Sequence, residues 1–268
     1  MPYFIFSYLG CEGQNKKYKK EINETQAKGL HLYHSEKTSW VGTDLMLKDY
    51  KDLLPLTGGY FSMVDKKSST FILFSKDEKP NCLLEIKFDL KENFKVISID
   101  TARRALNKAE LEHHTIRQLA LNRLFDGPRN GYVDSTFIVP NNSNPNFIPY
   151  FNGKQKSVYI LAASSTGKKC FFGGDYRLDF DKNNKITNIT SLHKKITSYP
   201  VNDPTFVLEK ESVSHYHHEG DSDFITETDI CTALLYKDLV GWKYFMLASK
   251  KLSIFFDCEK IHLTVIER

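Results

Sequence analysis

The sequence has few cysteines and no long apolar run. Its five cysteines are widely spaced and form no CxxC pair, standing at Cys11, Cys82, Cys170, Cys231 and Cys258. An odd, scattered set of this kind argues against a disulfide framework and against a cysteine zinc knuckle. No stretch approaches the ~20 apolar residues that cross a bilayer, which excludes a membrane-spanning helix.

An excess of one charge is also missing. Lysine and arginine number 37 against 33 acidic residues, giving a net charge of +4 without the clustered basic stripe of a nucleic-acid-binding protein. We interpret the short lysine cluster at residues 15–20 as a solvated surface segment. Residues 1–7 lack the charged start and the cleavage site of a signal peptide, so we expect a cytoplasmic protein without membrane contact. The oligomeric state is left open.

The composition is that of a chain with a sizeable core. With 41% hydrophobic and 13% aromatic residues over 268 positions, one large domain or two small ones are expected. The break Gly127-Pro128-Arg129-Asn130-Gly131 is the best boundary. We predict an α+β fold, with a mostly β domain ending in a helix over residues 1–126 and an α/β domain over residues 127–268.

The N-terminal half predicts an antiparallel sheet with one packed helix. Short apolar or alternating runs at 59–64, 70–74, 82–88 and 96–99 are separated by polar turns, as in a meander. Asn107 and Glu110 have the spacing of a capping box, so the helix is predicted to begin there.

The C-terminal half predicts a mixed sheet with helices. Strands are expected at 157–162, 169–172 and 176–180, with a hairpin turn at 181–184, whereas the proline- and asparagine-rich stretch 140–146 predicts a loop. The last third favours a strand at 211–217, a helix at 229–239 and a strand pair within 242–257. This order suits helices packed on a mixed sheet.

The segment from 215 to 229 is the strongest candidate for chemistry. His215 and His217 stand two apart on a predicted strand and therefore point to the same face. Asp229 falls in the first turn of the following helix, where the helix dipole favours an ionised carboxylate. Two histidines and one carboxylate leave a fourth position for water, the arrangement of a catalytic zinc site. Such a site predicts hydrolysis of an amide or an ester.

Each of these residues also has a simpler interpretation. Thr226 and Asp229 have the spacing of an ordinary helix cap, and the two histidines could be exposed loop residues. His193 could donate to the site from a neighbouring strand or be a satisfied structural histidine. Cys231, between apolar helix positions, predicts a buried cysteine rather than a nucleophile.

The same segment resembles the JAMM/MPN metalloprotease signature. In that signature HxH is followed by seven residues, a serine, two residues and a metal-binding aspartate. Here the gap is eight residues and Thr226 stands in the serine position. The resemblance implies that His215, His217 and Asp229 bind zinc and that Thr226 orients or stabilises the oxyanion. It covers roughly the last sixty residues and implies a protein or peptide substrate with an amide or isopeptide bond.

The general base of such an enzyme is not evident from the resemblance. Asp175 is the first candidate, because Gly173 and Gly174 let the backbone approach closely beside a strand end; a plain turn aspartate is the alternative. Glu112, on the capped helix, is the second candidate. The whole chain is also similar to bacterial proteins of unestablished activity that share segments like those around Asp175, His193 and Asp229. We therefore keep two hypotheses, a zinc hydrolase and a non-catalytic protein-binding module that retains the fold.

Overall fold

The computed structural model describes residues 16–125, 137–153, 155–203, 212–216 and 222–268. The fold is α+β, with several antiparallel sheets and a few helices. Its helices are α1 (Lys19–Asp49), α2 (Lys108–Leu124) and α3 (Glu227–Val240), and a 3-10 helix follows α1 at Lys51–Leu56. None of the helices within these ranges is both long and apolar enough to cross a membrane.

The predicted N-terminal sheet is confirmed. Its antiparallel order is β1-β2-β3-β4, and a short fifth strand also pairs with β3. The strands are β1 (Thr57–Val64), β2 (Ser68–Ser75), β3 (Asn81–Asp89), β4 (Lys95–Asp100) and β5 (Arg104–Ala105).

Three further sheets follow. The second has the order β10-β9-β7-β6, the third pairs β8 with β11, and the fourth has the order β12-β13-β14-β15 with β12 parallel to β13. The strands are β6 (Ser143–Phe151), β7 (Lys156–Ser164), β8 (Lys169–Phe172), β9 (Tyr176–Phe180), β10 (Ile186–Ser191), β11 (Thr197–Pro200), β12 (Ser212–Tyr216), β13 (Tyr244–Ala248), β14 (Leu252–Asp257) and β15 (His262–Glu267).

The helix α1 corrects the prediction of a single helix in the N-terminal half. It is 31 residues long and carries no apolar stripe, because many of the side chains that it buries are small or polar. Its Gly29 lies so close to α3 that an added Cβ would be 2.6 Å from the Ile230 Cβ atom, and Gly42 lies equally close to Phe71 of β2. Periodicity cannot reveal a helix that packs through glycine, serine and threonine.

The strand β6 corrects the predicted loop at 140–146. Pro145 lies within β6, and β6 is the outer strand of its sheet. An outer strand tolerates proline because one row of its backbone groups needs no partner.

The capping-box prediction at Asn107 is confirmed: its side chain accepts from the Ala109 and Glu110 amides, and Glu110 accepts from the Asn107 amide. The helix α2 that begins there packs on both halves of the chain. Its inner face meets Val158 and Leu178 of the second sheet, while His114 packs edge-on against Phe74 of the N-terminal sheet.

The boundary predicted at 126/127 stays a prediction, and its flanking residues 126–136 lie outside the described ranges.

Candidate metal centre

Two glycines place Asp175 beside the segment that follows β10. Gly173 and Gly174 have φ values of +92° and +73°, which favour glycine. A Cβ on Gly173 would lie 2.1 Å from the Lys195 carbonyl oxygen, so the β8–β9 connection touches the β10–β11 connection directly. The Leu192 amide also donates to the Asp175 carbonyl at 3.1 Å.

This close approach pairs Asp175 with His193. The buried Asp175 carboxylate accepts from His193 Nδ1 at 2.7 Å through Oδ1, and its Oδ2 accepts from the Thr228 hydroxyl. The pairing fixes the imidazole ring and directs Nε2 to the opposite side. There Nε2 lies 3.3 Å from both carboxylate oxygens of Asp229.

The two carboxylates govern the charge of His193. Burial alone lowers the pKa of this histidine, but the charges of Asp175 and Asp229 outweigh it and raise the pKa well above its usual value. Without a metal, the favoured species is an imidazolium between two carboxylates. A metal ion would have to displace the proton on Nε2.

Asp229 occupies the predicted first turn of α3 and takes part in a capping box. Thr226 is the N-cap, and its hydroxyl accepts from the Asp229 amide at 3.1 Å. Asp229 Oδ2 in turn accepts from the Thr226 amide at 3.0 Å and from the Thr226 hydroxyl at 2.9 Å. The capping interpretation is therefore confirmed. It does not compete with a ligand role, since a carboxylate offers more than one lone pair.

His215 reaches the same place from β12. Val213 and His215 are buried at 2% and 5% exposure while Ser214 between them is exposed, which confirms the predicted alternation. The His215 ring stacks on Phe172 at 5.7 Å and meets the His193 ring edge-on at 5.6 Å. His217, the other predicted ligand of the pair, lies outside the described residues.

Three buried donors thus converge. One ligand atom from each of His193, His215 and Asp229 lies within 4.8 Å of the other two. A tetrahedral zinc with bonds of about 2.0–2.1 Å holds its ligand atoms roughly 3.4 Å apart. The 3.3 Å between His193 Nε2 and Asp229 matches that spacing, and the His215 ligand atom lies within 4.8 Å of both.

No family model matches the chain, and no curated protein matches it. Among solved structures, the β-propeller domain of Nup133 from Vanderwaltozyma polyspora is similar at a TM-score of 0.16 and 11% identity. The alignment covers 84% of this chain and 44% of that chain. A TM-score this low does not indicate a shared fold.

His193 is the member of the cluster that sequence reasoning left undecided. A lone histidine between β10 and β11 carries no local mark of a ligand role. The expected resemblance of Leu192-His193-Lys194 to segments of bacterial proteins stays a prediction. The glycine pair before Asp175 predicted a close approach of two backbone segments. It did not predict that the other segment carries His193.

A second polar network anchors the start of α3. Tyr159 of β7 donates to Glu227 Oε1 at 2.7 Å, and Arg177 of β9 lies 3.6 Å from the same oxygen. These contacts hold the helix that carries Asp229 against the second sheet. Glu227 and Thr226 also border a cleft of about 350 Å³, together with Leu192 and Lys194 on either side of His193.

The predicted catalytic residues have the following positions. Thr226 borders the cleft and donates its hydroxyl to Asp229, and its predicted role toward an oxyanion stays a prediction. Asp175 lies behind His193, with both oxygens accepting hydrogen bonds, and its role as a general base stays a prediction. Glu112 pairs with Lys156 on the outer side of α2 and does not join the cluster.

Proposed function

We propose that His193, His215 and Asp229 bind a zinc ion and that the chain is a zinc-dependent hydrolase of amide or isopeptide bonds. The observation that supports this best is the convergence of the three buried donors within 4.8 Å. The Asp175–His193 hydrogen bond adds to it, since histidine ligands almost always donate their second ring nitrogen to such an acceptor. In this proposal His193 takes the ligand position that the sequence prediction gave to His217, which lies outside the described residues.

Zinc held by two histidines and a carboxylate polarises a substrate carbonyl and lowers the pKa of a coordinated water. Residues of the chain would then orient the ligands and stabilise the oxyanion. Asp175 keeps the proton on His193 Nδ1 and so presents the Nε2 lone pair. Thr226, which lies beside Asp229 and borders the cleft, would offer its hydroxyl as a hydrogen-bond donor to the oxyanion.

Metal analysis tests the site. Protein purified without chelator should contain about one zinc per chain, whereas His193→Ala, His215→Ala and Asp229→Asn should each contain less than about a tenth of that. His262→Ala is the matched control, because it removes an exposed histidine on β15. Metal-free wild-type protein, or full zinc content in the three variants, would refute the site.

Activity needs a separate test. Peptide libraries with amide and isopeptide linkages, labelled with a fluorophore and a quencher, should be cleaved by the zinc-loaded chain. Cleavage should stop on chelation and return when zinc is added. If the chain binds zinc stoichiometrically and cleaves no linkage, the hydrolase assignment is wrong and the site assignment stands.

A second candidate is a non-catalytic protein-binding module in which this cluster only stabilises the fold. The observation that favours it is burial, since His193, His215 and Asp229 are only 1–5% exposed. This candidate expects slow zinc exchange in a chelator-competition assay and a zinc-dependent melting temperature, without hydrolysis of any peptide.

A further inference from the structure

A second polar cavity, about 220 Å³ in volume, lies where α1, β1, α2 and β6 meet. None of the candidate zinc ligands lines it. Eight of its ten lining residues are polar or charged, among them Glu36, Tyr60, Arg117 and Asn146. The cavity is therefore distinct from the metal centre and is lined mainly by hydrogen-bonding groups.

Arg117 is fixed at this cavity by aromatic rings. Its guanidinium carbon lies 5.8 Å from the ring centroid of Phe74 and 5.9 Å from that of Phe147. Such packing occupies the faces of the guanidinium and leaves its N–H edges to bind planar acceptors. Within the described ranges, no residue accepts a hydrogen bond from these N–H groups, and Tyr60 and Glu36 interact with Arg117 through charge alone.

Glu36 brings the opposite charge to the cavity. It is 5% exposed, and its Oε2 accepts from the Asn146 side-chain amide at 2.7 Å. Among the described residues, none donates to its Oε1, and Arg117 acts on Glu36 by charge from beyond ion-pair distance. Burial raises the pKa of Glu36 to about 7, so the ionised form gains from a cation at this oxygen.

We propose that this cavity binds a small zwitterion, a carboxylate and an ammonium on one short carbon skeleton, such as a free amino acid. The ligand carboxylate would accept from the N–H edge of Arg117, and its ammonium would donate to Glu36. A zwitterion presents an opposite charge to Arg117 and to ionised Glu36, whereas a lone carboxylate or a lone ammonium would pair with just one of them. The volume, below the ~300–1,000 Å³ of drug-sized pockets, limits the ligand to a small molecule.

Isothermal titration calorimetry on the full chain tests the proposal, with each of the common free amino acids as probe. We expect at least one to bind once per chain, and propionate and ethylammonium to bind at least about tenfold more weakly. Arg117→Gln and Glu36→Gln should each weaken binding at least about tenfold, the loss of one charge-assisted contact. Arg103→Gln, at an exposed arginine paired with Asp77, should leave the dissociation constant unchanged.

Three results would overturn the proposal. They are the absence of amino-acid binding up to about 10 mM, equal binding of propionate, and unchanged affinity in both cavity variants. Circular dichroism verifies the fold of each variant. Arg117→Lys, which keeps the charge but loses the planar fork, provides a second test if Arg117→Gln does not fold, and it should also weaken binding.

Discussion

At the residue scale, the candidate centre depends on the pairing of His193 with two carboxylates. Asp175 lies on one side of the ring, and Asp229 lies on the other. In the zinc-bound state these carboxylates have different tasks, because Asp175 orients the ring and Asp229 binds the ion. The two tasks predict different outcomes when each carboxylate is changed to an amide.

Asp175→Asn should weaken zinc binding by about 10–100-fold without abolishing it, the usual effect of losing a carboxylate behind a ligand histidine. The asparagine keeps the size of the side chain but weakens its hold on His193 Nδ1. Competition with a chromogenic chelator measures the affinity. Asp65→Asn, an exposed turn carboxylate, is the control; equal affinities in the two variants would show that Asp175 does not position His193.

Asp229→Asn should separate capping from metal binding. Asparagine can still accept from the Thr226 amide, so the cap is kept, but the metal-free variant also loses the buried charge beside His193 and should lose about 3–5 kcal/mol of unfolding free energy. Zinc binding, in contrast, should be lost with the carboxylate charge. Urea unfolding of the metal-free proteins and zinc titration give the two readouts, and a variant that lost stability but retained zinc would contradict the ligand role.

At the element scale, α1 and α3 are joined by an unusually close crossing. Gly29 brings the α1 backbone against Ile230, the residue directly after Asp229. The neighbouring ring contact of Trp40 with Tyr236, at 5.4 Å, continues the same interface. The position of Asp229 therefore depends on a helix nearly two hundred residues earlier in the chain.

Gly29→Ala should destabilise the protein, although alanine is the better helix former by ~1 kcal/mol. The new Cβ would lie 2.6 Å from the Ile230 Cβ atom, and overpacking of this kind costs about 1–3 kcal/mol. Ile230→Gly removes that Cβ atom, so the double variant should be more stable than the sum of the single changes predicts. Urea unfolding of the four proteins measures this coupling, and strict additivity would contradict the close crossing.

At the scale of the whole molecule, the two halves share their packing. Leu32 of α1 is buried with Tyr159 of β7 and Cys231 of α3, and α2 lies between the first two sheets. Glu36 of α1 hydrogen-bonds to Asn146 of β6 within this shared region. Stability should therefore be a property of the whole chain rather than of either half.

Unfolding should occur in one cooperative step. Trp40 lies on α1 and Trp242 lies in the C-terminal core, so Trp40→Phe and Trp242→Phe each leave one reporter. In each variant the urea midpoint by fluorescence should equal the midpoint by circular dichroism. Separate midpoints would instead support the two domains predicted at 126/127.

The pH dependence of stability should include a contribution from Glu36. Its folded pKa of about 7 lies above the unfolded value of 4.5, so its stabilising contribution is complete below pH 4.5 and is lost as the pH rises through 7. The loss is on the order of 3 kcal/mol at most. Glu36→Gln should therefore gain stability relative to the wild type between pH 5 and pH 8, and a constant difference across that range would contradict the shift.

Local sequence signals determined much of this protein. Asn107 and Thr226 identified two helix starts, because a cap requires only residues three positions apart. The alternation of apolar residues identified β1 to β4, and the same alternation placed Val213 and His215 on one buried face. These features depend on the geometry of a single helix or strand and can therefore be predicted from the sequence.

Tertiary structure alone decided the rest. The helix α1 buries glycine, serine and threonine, so its buried face cannot be recognised from hydrophobicity in the sequence. That face is defined only by the elements that pack on it. The convergence of His193, His215 and Asp229 depends on the contact of two loops at Gly173 and on the crossing at Gly29. Contacts between distant segments follow from sheet register and helix packing, and no local propensity encodes either one.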